Sequence, residues 1–171
     1  MIRALTLCLL LTPTFASAQS EPDMTVARMA AIVLALDPDA EPTVSGFEMT
    51  IDDVPVLVIV DMGANRMRAM VPIRLAEGMT AEELARVMQA NFDTALDARY
   101  ALANGRLWGV FIHSFAELHR DQFISGLGQT VNIAKTYGTL FTGGAAQFGA
   151  GDSGALQRYL LDDLLKRGED I

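Results

Sequence analysis

Two histidines and an aspartate lie near one another in the chain and have side chains that could bind a metal ion or activate a water molecule. They are His113, His119 and Asp121. A zinc site needs three or four converging ligands. The pattern places His113 at the end of a strand and His119 one turn into a helix, so they need not converge. We therefore expect no metal ion and no cofactor, and we keep a metal-dependent enzyme that uses these three residues as an alternative.

The serines and glycines of the chain do not form a catalytic or nucleotide-binding motif. Ser114 follows His113 directly, and neighbouring residues of a strand point to opposite faces of the sheet. The glycine-rich stretch 143–154 has no strand immediately before it and no Lys-Ser or Lys-Thr after it, as a phosphate-binding loop requires. We therefore expect a protein that is not an enzyme.

The first 18 residues have the three parts of a secretory signal peptide. Arg3 makes the start positive, residues 4–11 are an apolar stretch too short to span a bilayer, and Ala16 and Ala18 are the small residues that signal peptidase reads. We predict cleavage between Ala18 and Gln19. The protein is then secreted through the inner membrane and is periplasmic.

The charge of the mature chain limits its partners. The whole chain has 13 Lys and Arg residues and 21 Asp and Glu residues. Residues 1–18 contain Arg3 and no acid, so cleavage leaves 12 basic against 21 acidic residues, a net charge of −9. Such a charge repels nucleic acid and anionic membrane surfaces. We expect neither as a partner.

The single cysteine, Cys8, lies inside the signal peptide. A mature chain without cysteine has no disulfides, no thiol catalysis and no cysteine-ligated zinc. After the signal peptide, no stretch of 18 uninterrupted apolar residues occurs, so we expect no stable membrane insertion once the signal is cleaved.

Hydrophobic periodicity predicts a helix followed by three strands. The helix begins near Met24, and residues 39–43 are a predicted linker. The third strand turns Arg66, Arg68 and Arg74 to the face opposite its apolar residues. The three strands form an antiparallel meander at 47–51, 54–60 and 66–73.

Two capping boxes predict helix starts, one at Thr80–Glu83 and one at Ser114–Glu117. The first opens a helix that directs Leu84, Val87, Met88 and Phe92 toward a core. The second opens a long helix in which Gly126 and Gly128 weaken helix formation by roughly 1 kcal/mol each. These glycines could instead let a strand or a second subunit pack close.

Asn104–Gly105 separates two apolar runs, which is the strongest short signal for a β-hairpin. The element order is therefore α-βββ-α-ββ-α, which predicts an α+β fold with an antiparallel sheet of about five strands and flanking helices.

The end of the chain is predicted to be a tethered amphipathic helix. Residues 142–154 are rich in glycine and form a flexible linker, and residues 155–171 form the helix. Two interpretations stay open: the helix docks on its own domain, or it enters a partner's groove. Its partner-binding stripe would consist of Leu156, Leu160, Leu161 and Leu164.

Several local features in this order resemble the YbjN family. They are Asn91-Phe92, Tyr100 to Leu102, Gly105-Arg106-Leu107, the apolar strand through Ile112 and the helix from near Phe115 past Phe123. The resemblance covers about Met24 to Tyr137, within a predicted domain of residues 19–141. The fold of that family is similar to that of type III secretion chaperones. The resemblance implies a non-enzymatic domain that binds protein segments and often pairs with itself.

The sequence thus favours an exported protein- or peptide-binding module of the YbjN or secretion-chaperone-like type, with a homodimer expected. The alternatives are a carrier of a small apolar ligand between sheet and helices, and the metal-dependent enzyme named above.

Overall fold

The computed structural model describes residues 21–93, 95–138 and 154–169, so the predicted signal peptide and most of the predicted linker lie outside it. This part of the chain forms one antiparallel sheet with the strand order β1-β2-β3-β4-β6-β5, together with four helices. The elements are α1 (Val26–Leu36), β1 (Glu41–Thr43), β2 (Gly46–Ile51), β3 (Val54–Asp61), β4 (Arg66–Leu75), α2 (Ala81–Asp93), β5 (Arg99–Ala103), β6 (Arg106–Ser114), α3 (Arg120–Lys135) and α4 (Gly154–Gly168).

The predicted α+β class and antiparallel sheet are confirmed, with one strand more than expected. The additional strand is β1, which lies in the stretch predicted to be a linker. It pairs with β2, with Glu41 opposite Glu48 and Thr43 opposite Gly46. All three of its residues are exposed and one is Pro42, so it lacks the alternation that marks a half-buried strand.

Tight turns set the strand register. Asn104 and Gly105 have φ angles of 51° and 69°, and Asp52 and Asp53 have φ angles of 50° and 63°. Two consecutive positive φ angles are typical of the type I′ turn, whose twist matches that of the strands it joins. The hairpin predicted at Asn104–Gly105 is therefore confirmed.

The helices pack on one face of the sheet. α1 contacts β2, α3 contacts β3, β4, β5 and β6, and α4 contacts α1 and α3. The strand residues that this face buries include Phe47, Met49, Ile51, Val56, Val58, Met67, Ala69, Val71, Leu107 and Phe111. β3 is an inner strand, as predicted, but Ile59 on its second face is 36% exposed.

One of the two predicted capping boxes is confirmed. The Thr80 backbone N–H donates to Glu83 Oε2 at 2.8 Å, and the Glu83 N–H donates to Thr80 Oγ1 at 3.1 Å. The box predicted at Ser114 is wrong, because β6 continues through Ser114 and α3 begins at Arg120. There the His119 N–H donates to Gln122 Oε1 at 3.0 Å. No helix in the described ranges is long and apolar enough to cross a membrane.

The glycines of α3 allow close packing on both of its sides. A Cβ atom added at Gly126 would lie 2.4 Å from the ring of Phe111 on β6. A Cβ atom added at Gly128 would lie 2.6 Å from Leu161 of α4. Gly126 thus lets a strand pack close, which is one of the two roles that the sequence suggested.

Replacing Gly126 by alanine is expected to destabilise the fold. Alanine gains roughly 1 kcal/mol in helix propensity. Overpacking against a buried aromatic ring costs about 1–3 kcal/mol, and three ring atoms lie within 2.8 Å of the new Cβ. We expect the loss to exceed the gain in urea unfolding. Gly63→Ala is the control, since its new Cβ would meet only Asp61 Oδ1 at 3.4 Å. A more stable Gly126→Ala protein would contradict this packing.

Candidate protein-binding surfaces

Helix α4 docks on its own chain. Leu160 and Leu164 are buried in the common core. The Arg167 side chain donates to the Leu36 carbonyl at 3.2 Å, and the Arg120 side chain donates to the Gly168 carbonyl at 3.1 Å. Of the two interpretations of this helix, the structure has the docked one.

The docked position covers part of the predicted partner-binding stripe. Leu164 is fully buried, Leu160 is 6% exposed, and Leu161 lies against α3 beside Gly128. The side chain of Leu156 lies outside the described residues, as do residues 142–153 of the linker. In this position Leu160 and Leu164 are not accessible to a partner.

His113, His119 and Asp121 do not form a metal site. The His113 ring stacks on Phe111 with the ring centroids 6.0 Å apart. His119 Nδ1 lies 3.6 Å from a carboxylate oxygen of Glu21, and Asp121 pairs with Arg120 at 2.9 Å. Within the described ranges, no three His, Cys, Asp or Glu side chains are grouped so that they could hold a metal ion.

His113 and Asp121 do line one cleft, without His119. The cleft has a volume of about 560 Å³ and lies between the end of β6 and the start of α3. It exists because β5 begins at Arg99, opposite Val110, whereas β6 continues to Ser114. The last residues of β6 therefore have a strand partner only on the β4 side. The cleft is lined by Asp97, Arg99, Phe111, Ile112, His113, Asp121, Gln122 and Ser125.

The buried side chain of Gln129 fixes the chain at the start of β5. Its Oε1 accepts from the backbone N–H groups of Asp97 at 2.7 Å and Ala98 at 3.2 Å. Its Nε2 donates to Asp97 Oδ2 at 3.2 Å and to Ser125 Oγ at 3.1 Å. These four bonds hold the segment before β5 against α3 and away from β6. Sequence reasoning missed this role, since the partners of Gln129 lie about thirty residues away.

The second face of the sheet carries apolar side chains that none of the described helices covers. Cross-strand pairing places Ile59 and Ile112 on either side of Arg68, and the next row runs Leu57, Met70 and Val110. Ile112 is 55% exposed and Ile59 is 36% exposed. We call this surface the open face; its apolar members are Leu57, Ile59, Met70, Pro72, Trp108, Val110 and Ile112.

Arginines also lie on the open face. Arg68 stands between Ile59 and Ile112, Arg66 donates to Ser114 Oγ at 3.1 Å, and the Arg106 guanidinium lies 5.9 Å from the Trp108 ring centroid. Arg99 is the residue opposite Val110. Arg66, Arg68, Arg99 and Arg106 are the arginines of this face.

Arg74 was predicted on the same face as Arg66 and Arg68, and this prediction is wrong. A bulge between Pro72 and Arg74 shifts the register, so that Arg74 stands opposite the buried Leu107. The Arg74 guanidinium lies 3.7 Å from Glu83 at the start of α2. A bulge adds one residue and turns the following side chains to the other face.

Helix α2 presents a second apolar surface. Val87 is buried, as predicted, but Met88 is 66% exposed and Phe92 is 70% exposed, so the prediction that they face the core is wrong. The cause is that α2 packs mainly on the edge strand β5. We call Met88, Phe92 and the 51%-exposed Leu102 the α2 surface.

An apolar cleft of about 190 Å³ adjoins the α2 surface, between α2 and β5. Asn91 ties the two elements: its Oδ1 accepts from the Tyr100 N–H at 2.7 Å and its Nδ2 donates to the Tyr100 carbonyl at 3.1 Å. The Tyr100 hydroxyl donates to the Ile133 carbonyl at 2.9 Å, and burial raises the pKa of Tyr100 above its usual range. The hydroxyl therefore stays a hydrogen-bond donor that joins the edge strand to α3.

Comparison with known proteins shows the fold. No family model matches the chain, and no curated protein matches it. A chain in the structure of the ExsC–ExsE complex superposes with a TM-score of 0.52 and 12% identity, covering 71% of this chain and 98% of that one. The Yersinia pestis type III secretion chaperone SycH, in complex with a stable fragment of YscM2, superposes with a TM-score of 0.47 and 17% identity, covering 62% and 96%. This chain therefore shares its fold with that chain of the ExsC–ExsE structure.

Replacing Gln129 by glutamate is expected to destabilise the fold by about 3 kcal/mol at neutral pH, because a buried carboxylate would then face Asp97. Burial and Asp97 both raise the pKa of the new carboxyl, so the loss should shrink as the pH is lowered from about 7 to about 4. Urea unfolding at both pH values measures it.

Gln122→Glu is the matched control in the same helix. Its carboxylate still accepts the His119 N–H and lies at the helix N-terminus, where a negative charge is favourable. Equal stabilities of the two variants at neutral pH would contradict the role given to Gln129.

Proposed function

We propose that the chain is an exported, YbjN-like, non-enzymatic module that works in the periplasm, binds a protein partner through the open face and pairs with itself through the α2 surface. The observation that carries this proposal is the uncovered apolar face of the sheet. An apolar face at the middle of a folded domain is a marker of an interaction site rather than of ordinary surface.

The position of the open face supports a binding role. Its apolar residues lie on β3, β4 and β6, which are inner strands of the sheet. The backbone register that builds the core on one face also fixes these side chains on the other. The partner therefore meets a rigid surface whose side chains are already in place, which reduces the entropy that binding costs.

The fold comparison supports the same class of function. The ExsC–ExsE structure, whose fold this chain shares, is by its name a complex of proteins. A fold of this kind is thus compatible with a protein partner, and the open face is the surface of this chain that we assign to it.

The α2 surface suits a homodimer. Met88, Phe92 and Leu102 are large, apolar and exposed within one patch, beside an apolar cleft lined by residues such as Leu84 and Leu107. A two-fold axis through such a patch would bring each Phe92 near the cleft of the other copy, so that one patch supplies both sides of the interface.

Site-specific photo-cross-linking tests both contacts. The photoreactive residue p-benzoylphenylalanine replaces Phe92, Ile112 or the fully exposed Val44, one at a time, in the chain 19–171. Purified protein labelled at Phe92 should give an adduct of two copies. Protein labelled at Ile112 should give an adduct with a different protein, of one mass, only when periplasmic extract from the source cell is added.

Label at Val44, on the turn between β1 and β2, should give neither adduct and serves as the control. If the Phe92 label gives its adduct and the Ile112 label gives none, the proposal of partner binding at the open face is wrong. If only the Phe92 label gives no adduct, the proposal of a homodimer through the α2 surface is wrong.

A further inference from the structure

Among the described residues the arginines of the open face form no ion pair, whereas cations elsewhere do, although Asp61 stands opposite Arg66 in the strand register. No ion pair involves Arg66, Arg68, Arg99 or Arg106 in residues 21–93, 95–138 and 154–169. The cations that form ion pairs all lie off this face: Arg28, Arg74, Arg86, His119, Arg120, Lys135 and Arg167.

This arrangement runs against the composition of the protein. The chain has a net charge of −8, so a cluster of arginines that forms no ion pair with the described residues is not what an average surface patch would show. Arg68 stands in the same cross-strand row as Ile59 and Ile112, and Arg106 stacks over Trp108. Charged and apolar side chains therefore alternate on one surface. A carboxylate bound there would lie closer to the arginines than the Debye length, so salt would screen their attraction only in part.

The open face offers side chains and not backbone hydrogen bonds. β3 and β4 have a strand on both sides, as does β6 up to Val110, so most of their N–H and C=O groups are already paired. An occupant must therefore interact through its own side chains. Amphipathic helices α1 and α3 of this chain cover the other face in that way, and a helix is the element that covers a sheet face in α+β folds.

We infer that the open face binds an amphipathic helix of the protein partner whose apolar stripe is flanked by Asp and Glu residues. The inference rests on the proposed function and adds the chemistry of the partner. The apolar stripe covers Ile59, Met70 and Ile112, and the flanking carboxylates pair with the arginines. A guanidinium binds a carboxylate through two parallel hydrogen bonds, which adds orientation to attraction.

Two other occupants fit the surface less well. A second copy bound face to face with the two β4 strands crossing would set Arg66 and Arg68 against other arginines, and like charges opposed across an interface are unfavourable. A flat anionic bilayer would also meet the exposed Glu48 and Asp61, which lie on the same side of the sheet at its β2 and β3 strands. A helix is about 10 Å wide, so one that lies over β4 and β6 leaves Glu48 on β2 uncovered.

Trp108 provides the readout, because it is the only tryptophan of the chain and lies on the open face. The chain 19–171 is titrated with two 18-residue helical peptides without tryptophan. Both carry one leucine stripe; one has glutamate on its flanks and the other has lysine. We expect the glutamate peptide to change Trp108 fluorescence and to bind at least about 10-fold more tightly than the lysine peptide, with affinity that falls as salt is added.

Arg68→Glu is expected to weaken the glutamate peptide about 10-fold. The control is Arg158→Glu, an exposed position on α4 away from the open face, which should leave binding unchanged. The comparison of the two peptides on the unaltered protein does not depend on whether either variant folds.

Equal affinity for the two peptides, or equal effects of the two substitutions, would overturn the inference. So would a larger Trp108 change with phosphatidylglycerol vesicles than with the glutamate peptide, which would assign the face to a membrane. If the peptide preference is absent while the Ile112 cross-link to a partner is present, the acidic helix is wrong and the proposed function stands. If both are absent, partner binding at this face is wrong as well.

Discussion

The contact between α3 and the sheet is the interaction on which the other features of the structure depend. The helix and the sheet approach closely because each contributes a glycine to the contact. Gly126 on the helix faces the Phe111 ring, and Gly109 on β6 faces Ile133 and the Thr130 carbonyl. A side chain at either position would separate the layers. Since α3 is buried along most of its length, α4 can pack on it and reach α1, which completes a helical layer on one face only.

That one-sided layer explains the second face. α3 covers mainly the inner strands of the sheet. The apolar residues on the opposite face of these strands therefore lie in the middle of the sheet but are exposed to solvent. The ion pairs of the described residues lie on the other surfaces, among them Arg74 with Glu83 and Lys135 with Asp52. The open face thereby combines apolar area with arginines that form no ion pair in the described part of the chain, and this combination is what a partner would use.

Local patterns predicted much of the fold, because the forces that they report act over a few residues. Alternation at 47–51 predicted a half-buried strand, Asn104–Gly105 predicted a hairpin, and Thr80–Glu83 predicted a helix start. Each of these signals depends on neighbours two or three positions apart.

The features that sequence reasoning missed depend on contacts between distant residues. The bulge that turns Arg74 toward α2 is set by pairing with β6, and the exposure of Phe92 follows from where α2 lies on the sheet. Gln129 acts through backbone groups about thirty residues away. The candidate surfaces therefore could be only partly predicted. The sequence identified their apolar residues, but it did not show which of these residues the helices would leave uncovered.

Oxidative footprinting of the purified chain 19–171 tests the central claim most directly, which is that the described helices cover the sheet on one face alone. Met67 and Met70 are three residues apart on β4, and they lie on opposite faces: Met67 is 1% exposed in the core, whereas Met70 is half-buried on the open face. The account predicts that hydroxyl radicals oxidise Met70 and Trp108 several-fold faster than Met67. Equal protection of Met67 and Met70 in the monomeric protein would show that both faces are covered and would contradict it.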